Sequence, residues 1–260
     1  MNPRPPDGSS REEHVPDVSL VIPTYNEREN VEQLLPQVFE ALRGLRFEVL
    51  VVDDQSPDGT GDVVRRFEAQ GSPVRLVSKA RKEGIGAALR VGYSQSRGHV
   101  ILSTDADLSF DPADLRKLLA RMEQGAHLVV GTRHGHGGGY EAPTMGTRIK
   151  YLLSSGGNRV LRATTGIPLT DFSGNFRAIR RDVWNAIETS ENTNTLLFEM
   201  ILKTYVKGYT VAEVPVVFRD RRFGVSKLQM SSEAPRFLRR FWRFIWQYRH
   251  ELRRRRRARR

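Results

Sequence analysis

Asp105 and Asp107 stand two residues apart where an apolar run ends, in ILSTDADLSF at residues 101–110. Two carboxylates at that spacing in a strand-end loop repel each other, raising a pKa or splaying apart, unless both face a shared cation. Oxygen donors select Mg2+ or Mn2+ over softer ions, and Mg2+ is commonly held by one or two carboxylates together with substrate phosphates and water. The chemistry that suits such a site is departure of a diphosphate group whose developing charge the ion neutralises. Asp-x-Asp alone is too frequent to carry that inference, so its weight comes from position.

Position depends on the order of elements. From about residue 18, apolar β-branched runs alternate with helical patterns: VSLVIPTY, FEVLVVDD, VRLVSK, HVILSTDAD and HLVVGTR are the runs. Such a chain predicts a mostly parallel sheet covered by helices on both faces. Open sheets of this kind bind ligands beyond the carboxyl ends of their strands, where the strand order reverses. Four polar clusters, PTYNE, DDQSPDGT, DAD and GTR, therefore converge on one rim. Asp58 and Asp111, next to Gly59 and Pro112, read as caps of the helices that follow or as closing Asx turns. Pro36 inside the first helical pattern predicts a kink or a late start. KARKEGIGAAL at 79–89 lacks the glycine spacing of a dinucleotide fingerprint. Gly84 and Gly86 there read as a tight helix start, with Lys82 either a phosphate contact or an ordinary flanking residue.

The chain has 260 residues, 38% of them hydrophobic, and no cysteine. That is enough for one large α/β domain or a domain with an appendage, and it excludes disulfides, thiolate catalysis and thiolate metal sites. No run approaches about 18 consecutive apolar residues, and the first residues lack the apolar centre of a signal peptide. Residues 1–16 accordingly read as a disordered leader, before a body over 17–230 with no transmembrane helix. Twelve of the 42 Lys and Arg residues and one of the 30 acids lie in residues 236–260, so that segment carries +11 of the total +12. The body is nearly neutral, and the C-terminus is an electrostatic device aimed at something anionic. On a helical wheel from Ala234, Phe237, Leu238, Phe241, Phe244, Ile245, Tyr248 and Leu252 share one face. Arg239, Arg240, Arg243, His250 and Arg254 share the other, with Trp242 and Trp246 at the edges. Residues 231–260 thus read as an amphipathic basic helix and Arg-rich tail, either packed on the body or lying on an anionic membrane surface.

In this order, VIPTYNE, VVDDQSPDGT, KEGIGAAL, DADLSFDP, GTR, TDFSGNFRA and FGVSKL resemble the family 2 glycosyltransferases of GT-A fold, and within them the polyprenol (dolichyl) phosphate mannose synthases. The resemblance spans about residues 17–230 and implies a catalytic α/β domain of GT-A fold, its mostly parallel sheet flanked by helices. It implies inverting transfer of a sugar from a nucleotide donor, GDP-mannose first, to a polyprenyl phosphate. The protein would work peripherally on the cytoplasmic side of a membrane. Carried over by motif, Pro23, Tyr25 and Glu27 with Asp53 or Asp54 line the nucleoside pocket, while Asp105 and Asp107 flank the diphosphate and hold Mg2+ or Mn2+. Arg133, Arg148, Arg221 and Lys227 gather the donor and acceptor phosphates, and the implied catalytic set is Asp107, Arg133, Arg221 and Lys227. A phosphomonoester already carries between one and two negative charges at neutral pH, so no residue is assigned to proton abstraction. Asp171 and Glu199 match acceptor-side positions, with bracing of a nearby helix as the other reading.

Three positions depart from the family pattern. Ser109 stands where Gln is usual, a shorter metal ligand that would reach the ion through water. The tryptophan expected after HGHGGGY is missing, and Ser155 replaces an arginine beyond Arg148. These changes keep a UDP-sugar or another acceptor open as the alternative. GTRHGHGGGYEAP at 131–143 reads as an active-site loop ordered by substrate, with His134 and His136 solvated in it. In a different class, seven arginines among the last eight residues would bind nucleic-acid backbones nonspecifically. The near-neutral body ranks that reading well below the enzyme.

Overall fold

The computed structural model describes residues 15–141, 145–219 and 230–258. The five apolar runs form β1 (Val18–Thr24), β2 (Phe47–Asp53), β3 (Val74–Ser78), β4 (Val100–Ser103) and β5 (Leu128–Thr132). Between them lie α1 (Arg28–Ala41), α2 (Thr60–Ala69), α3 (Ile85–Gln95) and α4 (Leu115–Glu123). Each helix lays an apolar stripe on the sheet; in α4 the buried residues Leu115, Leu118, Leu119 and Met122 follow the helical period. The remainder forms β6 (Gly139–Glu141), α5 (Met145–Thr165), β7 (Arg177–Arg180), α6 (Arg181–Ile187), α7 (Thr195–Val206), β8 (Val211–Pro215) and β9 (Val217–Arg219). Two basic helices follow, α8 (Met230–Gln247) and α9 (Arg249–Arg257).

Among the described residues, seven strands make one sheet in the order β3-β2-β1-β4-β7-β5-β8, and β6 pairs with β9 apart from it. Every pair in the large sheet is parallel except those of β7, which runs antiparallel to β4 and β5. The order reverses between β1 and β4, so the ends of those two strands flank the crevice. An antiparallel β7 begins at that rim, which brings the loop Asp171–Asn175 to the same edge as the loops that leave β1, β2, β4 and β5. Val21, Leu50, Val52 and Ile101 sit in the core under α3, α6 and α7, while Leu20, Ile22, Val49, Val51 and Leu102 face the core under α1, α2 and α4. With both faces covered, strands this short and apolar lie almost wholly in the core.

Pro36 lies inside α1, which begins at Arg28 and runs on to Ala41, so the helix does not start late. Gly84 has φ +93°, and a Cβ on Gly86 would lie 2.4 Å from the Thr193 carbonyl oxygen. The α3 start is therefore tight for a tertiary reason, the close approach of the loop before α7. α7 is buried along most of its surface, with the sheet on one side and α8 on the other. Phe241, Phe244 and Leu252 are buried there, with Phe198 of α7 5.2 Å from Phe241 between ring centroids. Most of the apolar wheel face thus packs on the body, which leaves it unable to enter a membrane. Leu238 is an exception at 54% exposure, and with Trp242 at 54% and Trp246 at 70% it forms an exposed stripe spaced by four residues. Arg240, placed by the wheel on the solvent face, docks instead against Glu191 at 3.0 Å and Thr193 at 2.7 Å. Among the described residues no helix is long and apolar enough to cross a membrane. Residues 1–14 of the expected leader lie outside the described residues.

Candidate functional site

Three of the loops at the crevice hold a non-glycine residue in the left-handed region: Asn26 at φ 55°, Gln55 at φ 57° and Leu108 at φ 57°. For Leu108 that conformation is strained, and it turns the chain sharply between Asp107 and Ser109. The Asp107 carboxylate accepts from the Ser109 N–H at 3.1 Å, closing the turn, and Asp107 is 5% exposed. Asp105, half-buried, accepts from the Asn175 side-chain amide at 3.0 Å. It also lies in the field of the Arg133 and Arg177 guanidinium groups. The Ser109 hydroxyl is buried with no hydrogen-bond partner among the described residues.

The donors around these two acids are all oxygens, and a buried orphan hydroxyl lies beside them, so the site suits Mg2+ or Mn2+ better than a soft metal. Among the described residues no group of three or more His, Asp and Glu side chains is arranged to hold an ion. Two carboxylates with substrate phosphates completing the shell is the mode that this donor set fits.

The other acid pair is occupied differently. Asp53 accepts from the Thr24 hydroxyl at 3.0 Å and the Ser56 N–H at 2.9 Å, while Asp54 takes the buried Lys79 ammonium at 2.6 Å and the Gly84 N–H at 3.1 Å. Both acids are at least 95% buried, so they shape the loop after β2 and fasten it to the α3 start. Lys79, the last residue of the VRLVSK run, was not singled out from sequence. Tyr25 and Lys82 meet at this edge, the Lys82 ammonium 3.4 Å from the ring centroid of Tyr25, a cation–π contact. Glu27 accepts from the Asn30 amide at 2.7 Å, and Pro23 lies half-buried in β1. Asp58 accepts from the N–H groups of Arg28 at 3.1 Å and Thr60 at 3.0 Å, closing an Asx turn before α2, whose N-cap is Gly59, whereas Asp111 caps the turn that follows it by accepting from Ala113 N–H at 3.0 Å.

At the end of β5, Arg133 forms a two-pronged ion pair with Asp171, 2.7 Å from Nε and 3.0 Å from Nη2, and Nη2 also donates to Ser173 at 2.8 Å. Burial opposes the charge on Asp171, but the Arg133 guanidinium outweighs it and holds the carboxyl at about 2. The guanidinium lies 5.5 Å over Tyr140 and 5.6 Å over Phe218, rings brought together by β6 and β9. His134 departs from the expected solvated state: its ring stands 5.1 Å from Tyr151, its Nε2 3.2 Å from the Ser154 hydroxyl, and burial lowers its pKa. His136 is exposed. Glu199 braces the loop before α7, accepting from the N–H groups of Ser190 at 3.1 Å and Glu191 at 2.9 Å and pairing with Lys203 at 2.8 Å. Arg148 lies in the first turn of α5, its side chain outside the described part, and Arg221 and Lys227 lie outside the described residues.

Two residues of TDFSGNFRA were missed as individuals. One is Asn175, whose amide holds Asp105. The other is Arg177, with no exposed surface, donating to the carbonyls of Gly174 and Leu197. Burial pulls its pKa down to about 10, against the pull of Tyr93, Asp171 and Asp105. A polar Asn and Arg flanking an aromatic residue just before an apolar strand was the available signal.

The sequence pattern of the family described as Glycosyl transferase family 2 matches residues 19–187. The chain is 34% identical over 218 residues to the dolichol-phosphate mannosyltransferase of Pyrococcus furiosus, matching 82% of this chain and 59% of that protein. It is also 34% identical over 220 residues to the polyprenol monophosphomannose synthase of Mycolicibacterium smegmatis, matching 82% of this chain and 81% of that protein. Among solved structures, glucosyl-3-phosphoglycerate synthase from Mycobacterium tuberculosis, crystallised with Mn2+, UDP and glucosyl-3-phosphoglycerate, superposes with a TM-score of 0.66 at 20% identity, over 88% of this chain and 78% of that one. A crystal form of the same enzyme with Mg2+ and UDP gives a TM-score of 0.65 at 20% identity, over the same 88% and 78%. The fold is the GT-A arrangement expected, a mostly parallel sheet between helical layers. With its crevice at the β1–β4 switch point and an Asp-x-Asp turn on the lip, this chain belongs to glycosyl transferase family 2.

Proposed function

We propose that the protein transfers a sugar, mannose from GDP-mannose, to a polyprenyl phosphate at a membrane surface. The observation that carries this reading is the strained Asp105–Ser109 turn at the switch point of the sheet, in a chain whose relatives are named for that transfer. Asp105 and Asp107, with the hydroxyl of Ser109, would hold Mg2+ or Mn2+. When bound, the ion supplies charge neutralisation to the departing diphosphate. The acceptor phosphate is its own nucleophile, so the protein's task is to bring two anionic reactants together. Arg133 suits that task because Asp171 and Ser173 fix its rotamer before substrate arrives; Arg148, Arg221 and Lys227 complete the proposed basic set. Pro23, Tyr25, Glu27 and Lys82 form the nucleoside and phosphate side, with Asp53 and Asp54 acting by shaping their loop.

The membrane contact is the stripe Leu238, Trp242 and Trp246, flanked by exposed Arg239, Arg243 and Arg253. Rings of this kind enter the interface, and each basic residue near anionic lipid contributes about 1 kcal/mol. The test is incubation with GDP-mannose, UDP-glucose and other nucleotide sugars beside polyprenyl phosphate in anionic vesicles, the glycolipid identified by mass. Mannosyl phosphoprenol is expected; a product from UDP-sugars alone would change the donor, and no glycolipid at all would overturn the reading. Substantial turnover in EDTA would remove the metal. Binding to anionic liposomes is compared with binding to RNA at matched salt, and a preference for RNA would reassign the basic helices.

A further inference from the structure

We infer that Asn175 is the positioning residue of Asp105, and that a buried relay running Tyr93, Ser103, Asn175 sets the direction of its amide. The inference rests on the proposed role of Asp105 as a ligand of a divalent ion. The Tyr93 hydroxyl donates to Ser103 Oγ at 2.7 Å, Ser103 Oγ donates to Asn175 Oδ1 at 2.8 Å, and Asn175 Nδ2 donates to Asp105 Oδ1 at 3.0 Å. Tyr93 is 1% exposed, Ser103 0% and Asn175 2%, so water does not compete for these bonds.

Each link leaves one choice for the next. A hydroxyl has one proton: once Ser103 accepts from Tyr93, its proton goes to the amide oxygen, and the amide nitrogen must face the carboxylate. The reversed amide would set its oxygen against Asp105. Burial raises the Tyr93 pKa above its ordinary 10, so the phenol remains a donor at neutral pH. The backbone is held as well, since Arg177 Nε donates to the Gly174 carbonyl at 3.1 Å, and the antiparallel register places Ser103 opposite Arg177.

The chemistry of the link explains the choice of Asn. A Lys or Arg at this place would compete with the ion for Asp105, and an acid would repel it. A neutral amide accepts from the core and donates to the ligand, so it orients Asp105 without bringing a charge of its own. Partners of metal ligands at this remove commonly affect affinity by about 10–100-fold.

Mn2+ binding is measured by the electron paramagnetic resonance of the free ion, with GDP present and separately with UDP, on the full chain. Asn175→Ala is expected to weaken binding at least about tenfold. Tyr93→Phe, which keeps the ring in the core, and Ser103→Ala are expected to weaken it by a smaller factor and to lower the Tm by only a few degrees. Excess Mn2+ should restore turnover to Asn175→Ala but not to Asp105→Asn, a rescue that a merely structural residue would not show. Binding by Asn175→Ala within twofold of the unaltered protein overturns the inference alone. Should that variant not fold, unchanged binding in both Ser103→Ala and Tyr93→Phe does so. Failure of the unaltered protein to bind Mn2+ with either nucleotide overturns the metal reading and this inference together.

Discussion

Two pairs of acids sit at the ends of strands on either side of β1, Asp53 and Asp54 where β2 ends, Asp105 and Asp107 after β4. Asp54 has its own cation, Lys79, with both side chains 5% exposed, and Asp53 is held by hydroxyl and backbone donors. Asp105 accepts from the Asn175 amide and lies in the field of Arg133 and Arg177, and Asp107 accepts from the Ser109 N–H. A carboxylate salted by a buried lysine is part of the architecture, since separating the pair strands a charge in low dielectric. Asp105 differs in staying half-buried at the rim, where a cation from outside can meet it. The lesson is that acidic pairs identical in type and placed on the same rim are told apart by their partners.

This contrast predicts opposite signatures. Lys79→Met should leave Asp54 buried and unpaired and cost about 3–5 kcal/mol of stability, measured by urea denaturation. A cost below 1 kcal/mol would mean that Asp54 is as open to ligand as Asp105. Asp105→Asn or Asp107→Asn should do the reverse, lowering turnover at least about a hundredfold, roughly 2.7 kcal/mol, with the Tm little changed. Residual activity near that of the unaltered protein would erase the distinction between the pairs.

Smaller effects sharpen it. The Asp171 carboxyl, held at about 2 against an ordinary 3.8, contributes stability that is fully present above about pH 4 and lost as pH falls through about 2. That contribution is about 2 kcal/mol, and Asp171→Asn should flatten the acid limb of a denaturation midpoint followed against pH. An unchanged limb would show that Arg133 does not hold the acid in solution. Least of all, replacing Trp246 by Ala should weaken binding to anionic vesicles by about 1 kcal/mol or less and leave the Tm unchanged. Loss of folding instead would give that face a structural role.

Legibility differed between the halves of the chain. Through Thr132 every strand and helix was readable, because each apolar run is bounded by polar turns and the first four are each followed by a helical pattern. Asp111 was readable as a cap for a local reason, since it accepts from the N–H two residues on, whereas the Arg28 N–H that Asp58 also binds lies 30 positions away. Beyond Thr132 the elements depend on distant contacts: β7 has four residues, and the wide apolar surface of α7 says that it is covered without saying by what. The wheel of α8 separated apolar from basic residues, yet Leu238 and Arg240 ended on sides opposite to those expected, because packing against α7 and the Glu191 loop decides which strip faces in.

The order of residues alone determined the alternation of strand and helix, the family, the rim and the Asp-x-Asp turn, since period, turn residues and motif spacing are local properties. Tertiary structure decided which acids are neutralised inside the fold, that Arg133 is clamped by Asp171, and that Asn175 reaches Asp105. Each of those joins residues at least 25 positions apart, through an antiparallel strand or a loop crossing whose register local periodicity does not encode.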